Sequence, residues 1–220
     1  MGVEEASSLS STNRGQQKRG DDFYPTPAWC VGRLLDRLPL PGGRWLEPGA
    51  GEGAIIKAVA RADVRWTAIE LRADCRQSLE VLVNSSLVFI GDYLSSTGTH
   101  PLGEQSFDVI LANPPFTLAM DFVQESLRRA PIVIMLLRLN FLATGKRSDF
   151  MRTHCPDVYV LPDRPSFTGK GTDSIEYAWF VWSQGVAPRH TGKIEVLDST
   201  PMRERSWREK SGSRQDKTAA

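Results

Sequence analysis

Three glycines in five residues, Gly49, Gly51 and Gly53, punctuate the run Leu46-Glu47-Pro48-Gly49-Ala50-Gly51-Glu52-Gly53-Ala54-Ile55 and leave the chain few folds to choose from. A short apolar strand leads into the run and an apolar helix leaves it. Glycine accepts φ > 0 and carries no Cβ, so the turn can bend tightly and let a ligand approach the backbone at the start of the helix. Gly49, Gly51 and Ala54 fit the dinucleotide fingerprint. Glu70, about 20 residues on, closes the strand-like Val64-Arg65-Trp66-Thr67-Ala68-Ile69, where an acid can accept from a ribose hydroxyl. Strand, glycine turn, helix, strand and acid together open an α/β fold.

The remaining chain continues the alternation. Pro27, with Thr26 as its cap, predicts a helix that buries Trp29, Leu34, Leu35 and Leu38 and stops at Pro39. Strands are expected at 44–47, 64–69, 87–90, 107–112 and 132–137, with helices after the glycine turn, over 73–84 and near 120–129. The strands are continuously apolar, which suits a parallel sheet covered on both faces. A late hairpin, 158–161 with 177–182, suits an antiparallel end to that sheet. Ligands of open α/β sheets bind outside the carboxyl ends of the strands. Glu47, Glu70, Asp92 and Asn113 each fall at such an end.

Asn113-Pro114-Pro115-Phe116 follows the apolar run 107–112 directly and suggests a chemistry. An aromatic amino group is a poor nucleophile because its lone pair is delocalised. Acceptors placed around it return electron density to nitrogen, and an Asn carboxamide oxygen with the following Pro carbonyl can do this. Pro114 and Pro115 have fixed φ and no N–H, so they stiffen the turn. Phe116 offers a ring face to a flat substrate. The glycine turn alone would suit a nicotinamide dinucleotide or S-adenosylmethionine. Gly53, Glu47 and the Asn-Pro-Pro-Phe tetrapeptide favour the latter.

Over roughly residues 22 to 182 the chain resembles the class I amino-methylating methyltransferases, most closely the small phage- and prophage-type adenine-N6 DNA methyltransferases. The resemblance implies a Rossmann-like, mostly parallel seven-stranded sheet ending in an antiparallel hairpin, with S-adenosyl-L-methionine as cofactor. Asp22-Phe23-Tyr24-Pro25-Thr26-Pro27 resembles the element that closes over the methionine end of the cofactor, through Tyr24, Thr26 and Pro27. Glu47, Pro48, Gly49, Gly51 and Gly53 match the glycine loop, and Glu70 with Leu71 matches the ribose acid. Gly91-Asp92-Tyr93-Leu94 matches the segment whose acid takes the adenine amino group of the cofactor. Asn113 to Phe116 then form the catalytic tetrapeptide. Phe167 matches an aromatic that packs on the flipped target base opposite Phe116. The implied reaction is methyl transfer to adenine N6 in DNA; an RNA adenine or a protein glutamine would suit the same tetrapeptide.

The 40% hydrophobic fraction supports one globular core within 220 residues. The expected organisation is a disordered tail over 1–20, a catalytic domain over 21–184 and a mostly disordered basic tail over 185–220. Met1 to Gly20 is polar and no apolar run is long enough to span a bilayer, so a cytoplasmic location is expected. Cys30, Cys75 and Cys155 suggest neither disulfides nor zinc, and with three His no metal is expected. A net charge of +1 is mild for a nucleic-acid enzyme, which moves attention to local clusters. Three basic groups are candidate phosphate contacts against ordinary solvated charge: Arg14, Lys18 and Arg19; Lys146, Arg147 and Arg152; and the run from Arg203 to Lys217. Lys146, Arg147 and Lys170 are the expected substrate contacts near the site, and Arg138 and Asn140 end the fifth strand without an assigned role. The long C-terminal recognition domain of larger family members has no counterpart in 183–220, where Ile194 to Leu197 is a candidate short strand. Target choice is therefore expected from the loops around 140–176 or from a partner.

Overall fold

The apolar runs legible in the sequence become the centre of one mixed sheet. The computed structural model describes residues 24–95, 100–167, 174–185 and 192–205. Its strands are β1 (Gly43–Pro48), β2 (Val64–Glu70), β3 (Val88–Ile90), β4 (Val109–Ala112), β5 (Ile132–Arg138), β6 (Asp157–Val160), β7 (Tyr177–Ser183) and β8 (Ile194–Val196). They lie in the order β3-β2-β1-β4-β5-β7-β6-β8. The first five run parallel, and β7 inserts antiparallel between β5 and β6. The sheet reverses at β1/β4, and its carboxyl edge there carries the polar residues foreseen from the sequence.

Alternation along β5 shows how both faces are covered. Ile134 and Leu136 belong to a core with Leu34, Ile55, Trp45 and Trp179, on the side of α1 (Ala28–Arg37) and α2 (Ala54–Val59). Val133, Met135 and Leu137 join Leu46, Ile110, Phe122 and Val123 on the opposite side, under α4 (Ala119–Arg129). A strand buried on both faces needs no polar residue along its length. β5 has none until Arg138.

Three expectations change. The sheet has eight strands, not seven: β8 pairs parallel with β6, anchored by Val158 N–H to the Lys193 carbonyl at 2.7 Å and Leu197 N–H to the Val160 carbonyl at 2.8 Å. β8 lies within the candidate strand at Ile194 to Leu197, with Ile194 and Val196 exposed on this edge. The domain also continues past residue 184, because Leu197 and Thr200 are buried and Asp163 accepts from the Thr200 N–H at 2.6 Å. A truncation after Gln184 would remove this strand as well as the basic end. Finally, the helix expected over 73–84 divides into a 3₁₀ turn, Ala73–Cys75, and α3 (Arg76–Glu80), followed by a turn in which Asn84 accepts from the Ser86 N–H.

α1 begins without a side-chain cap, its first bond running from Cys30 N–H to the Pro27 carbonyl at 3.0 Å. Thr26 is not the cap; it is buried in the wall of the cavity described below. At the start of α2, Gly53 has φ 76°, and an added Cβ would lie 2.6 Å from Leu82 Cδ1. The left-handed backbone favours glycine there, and a side chain would also have to displace the end of Leu82. Among the described residues no helix is long and apolar enough to cross a membrane.

Candidate active site

The carboxyl ends of β1, β2, β3 and β4 open into one cavity of about 750 Å³, within the usual size for a small-ligand site. Glu47, the Gly49-Ala50-Gly51 turn, Glu70, Leu71, Asp92 and the whole Asn113–Phe116 segment line it. Tyr24, Thr26 and Pro27 line it too, Tyr24 next to Asn113. Most residues expected from the sequence therefore meet in one place. Pro48 and Gly53 do not line the cavity, and they act by shaping the strand end and the turn.

The acids differ in their state. Glu70 is buried, with Oε2 accepting from the Gly51 N–H at 2.8 Å and Oε1 from the Arg72 N–H at 3.0 Å. These bonds fix the carboxylate while each oxygen keeps a lone pair for a ligand hydroxyl. Asp92 is exposed and accepts from the Leu94 N–H at 2.9 Å, which steadies the turn after β3. Glu47 is buried, with Oε2 accepting from the Ile56 N–H at 3.3 Å. Burial pushes its carboxyl well above the usual range, with the Glu70 charge adding and the Ile56 bond opposing.

The sign of that shift has a measurable consequence. The unfolded carboxyl titrates near about 4.3, so above that the folded chain holds a proton that the unfolded chain releases. The stabilisation is complete below the unfolded value and disappears as pH rises through the folded one. Glu47→Gln should therefore lose less stability than the parent between about pH 5 and about pH 8. Thermal unfolding at the two pH values measures it, and equal losses would contradict it.

Asn113 is half-buried at the end of β4, and its Nδ2 donates to the Tyr24 carbonyl at 3.3 Å. Its Oδ1 is buried and has no hydrogen-bond partner. Pro115 sits at φ −53° and ψ 123°, and the chain turns at once into a short 3₁₀ segment, with Leu118 N–H bonded to the Pro115 carbonyl at 2.9 Å. The prolines thus aim the tetrapeptide across the strand ends, as their stiffness suggests.

The aromatics are arranged differently from the expectation. Phe116 is half-buried, with the Arg138 guanidinium 4.6 Å from its ring centroid and Tyr177 at 5.5 Å. Phe167 lies in the core, edge-on to Tyr177 at 5.1 Å, and does not line the cavity. Tyr177, at the start of β7, draws that ring inward. Tyr24 is the exposed aromatic of the cavity, at 40% exposure. Tyr93 reaches the wall but serves the core: its hydroxyl pairs with Ser126 Oγ at 2.9 Å, its ring packs on Phe122, and burial pushes its phenol up.

Of the expected phosphate contacts, Arg147 is committed within the protein. Its Nε donates to the Phe141 carbonyl at 2.8 Å, and its guanidinium lies 4.4 Å from the Phe141 ring centroid. It fastens the loop after β5, and burial lowers its pKa. Lys146 is exposed beside it, and Lys170 lies outside the described residues, as do Arg14, Lys18, Arg19 and the basic run beyond 205. Lys57 and Arg72 line the cavity although nothing in their sequence setting marked them. Among the described residues no cluster of His, Cys, Asp or Glu is placed to hold a metal ion.

No family model matches the sequence. Over 103 residues, 42% of this chain, it is 33% identical to the ribosomal RNA small subunit methyltransferase C of Shewanella loihica. The match spans only 30% of that protein's length. Among solved structures, a dimethyladenosine transferase from Plasmodium falciparum superposes with a TM-score of 0.52 at 14% identity, covering 73% of this chain and 62% of that one. The 23S rRNA methyltransferase ErmE gives 0.51 at 21% identity, covering 74% and 70%. A 16S rRNA N2 methyltransferase from T. thermophilus, in complex with AdoMet and guanosine, gives 0.50 at 18% identity, covering 79% and 45%.

The chain has the Rossmann-like class I methyltransferase fold. The strand order, the antiparallel β7 and these superpositions agree on it.

Proposed function

We propose that the protein transfers a methyl group from S-adenosyl-L-methionine to the exocyclic amino nitrogen of a nucleobase, and specifically to N6 of adenine in DNA. The observation that carries this reading is the Asn113 carboxamide, held by the Tyr24 carbonyl through Nδ2 and left with a buried, unpartnered Oδ1 at the cavity. A buried acceptor without a donor is costly, and an amino group that enters the site satisfies it. Accepting one amino hydrogen orients the group and returns lone-pair density to nitrogen. No strong base is needed beforehand, because the proton leaves after attack.

The cavity residues fit the cofactor. S-adenosylmethionine, when bound, supplies an activated methyl group. Glu70 would hold the ribose hydroxyls, Asp92 the adenine amino group, and the wall formed by Tyr24, Thr26 and Pro27 would exclude water from the reacting side. Glu70→Ala should weaken S-adenosylmethionine binding by about 1 to 3 kcal/mol, the range for hydrogen bonds to a charged group. Titration calorimetry checks this. Unchanged affinity would remove the ribose role, and preferential binding of a nicotinamide dinucleotide would remove the cofactor assignment.

DNA and adenine rest on the tetrapeptide and the order of the matching segments. The identity to a ribosomal RNA methyltransferase favours a second reading, in which the amino group belongs to a base in RNA. Both use Asn113 in the same way, so the substrate assay described in the Discussion decides between them.

A further inference from the structure

Arg138 ends β5, a strand buried along its whole length up to this residue, and no part of the cofactor reading uses it. Its Nε is buried without a hydrogen-bond partner, and among the described residues no carboxylate is paired with it. The neighbouring arginines are satisfied: Arg147 by the carbonyls of Phe141 and Asn140, and Arg164 by Glu176. Arg138 instead lies with its Cζ 4.6 Å from the Phe116 ring centroid. That contact fixes the guanidinium plane without satisfying its in-plane N–H groups.

The position indicates what would satisfy it. Ala112 of β4 aligns with Met135 of β5, so the Asn113–Phe116 tetrapeptide and Arg138 emerge together at the carboxyl edge. Phe116 lines the cavity and Arg138 does not, so the guanidinium packs on the ring of a cavity-lining residue without lining the cavity itself. A partly buried cation without a counter-charge, fixed beside a base-binding segment, suits an anion carried by the substrate. A guanidinium pairs best with planar or tetrahedral oxyanions, through two parallel N–H bonds.

We propose that Arg138 binds a backbone phosphate adjoining the nucleotide whose base enters the Asn113 site. This rests on the nucleic-acid reading given above. The phosphodiester is common to DNA and RNA, so Arg138 anchors either strand and fixes the register of the target base while carrying no sequence information. One localised contact of this kind reconciles a nucleic-acid substrate with a net charge of only +1.

The test measures binding of matched adenine-containing DNA and RNA oligonucleotides by the full chain over a range of salt, for the parent, Arg138→Gln and Arg138→Lys. The parent should bind one or both oligonucleotides. Arg138→Gln should bind about tenfold more weakly, equally for all sequences, with the slope of log K against log salt reduced by about 0.7 to 0.9. Arg138→Lys should restore most of the slope, and calorimetry should show S-adenosylmethionine affinity unchanged within about twofold in all three proteins. Neutralising phosphates singly as methylphosphonates should weaken the parent at one position, with the penalty absent in Arg138→Gln. A parent that binds with the same slope and affinity as Arg138→Gln overturns the phosphate contact alone. A parent that binds neither oligonucleotide but binds S-adenosylmethionine overturns the nucleic-acid reading, and the contact with it.

Discussion

Asn113→Ala should lower the single-turnover methyl-transfer rate by about 10² to 10³ while leaving S-adenosylmethionine affinity within a few-fold of the parent, the scale on which positioned polar groups act in other enzymes. The separation follows from the two ends of the carboxamide. Nδ2 is tied to the Tyr24 carbonyl and Oδ1 has no partner among the described residues, so on the proposed reading truncation removes an acceptor reserved for the substrate. Single-turnover assays on an adenine-containing oligonucleotide, paired with calorimetry of the cofactor, measure both quantities. A variant that keeps more than about a tenth of the rate would remove Asn113 from the chemistry. One that loses cofactor affinity in proportion would make it a cofactor ligand instead.

The second large effect concerns the fold that presents this residue. Trp179 is fully buried in β7, in register with Leu136 of β5 and Tyr159 of β6, and its Nε1 donates to the Cys30 carbonyl of α1 at 2.9 Å. It therefore joins the antiparallel end of the sheet to the helix that follows the cavity wall. Trp179→Ala should cost about 3 to 5 kcal/mol of unfolding free energy, the cost of a large buried cavity, with the Cys30 carbonyl losing its donor as well. Urea denaturation measures it. A loss below about 1 kcal/mol would mean that this region tolerates a void that close packing should forbid.

The parts of the molecule legible in the sequence are those where one physical requirement dominates. β5 reads as a strand because both of its faces are buried, and the glycine turn reads as a turn because Gly49, Gly51 and Gly53 all take positive φ. Glu47, Glu70, Asp92 and Asn113 were placed on one rim from strand ends alone, and the cavity unites them. What escaped the sequence depends on tertiary partners. β8 forms where Ile194 to Leu197 suggested a short strand, but its place beside β6 is set by backbone bonds that the side chains do not announce. Phe167 looked like a free aromatic in a polar loop until Tyr177 was seen to take its ring. Arg147 looked like a phosphate ligand until two carbonyls claimed it, while Arg138, singled out at the end of the fifth strand without a role, has a buried Nε with no partner among the described residues.

The central claim is that this cavity methylates an exocyclic amino group of a nucleobase. Incubating the full chain with methyl-labelled S-adenosylmethionine and separate DNA, RNA and protein extracts, then digesting each and identifying the labelled product, tests it most directly. The account predicts label on a nucleobase amino nitrogen, specifically as N6-methyladenine in DNA, and its loss with Asn113→Ala. Label confined to a protein side chain, to a base carbon or to an oxygen would contradict it.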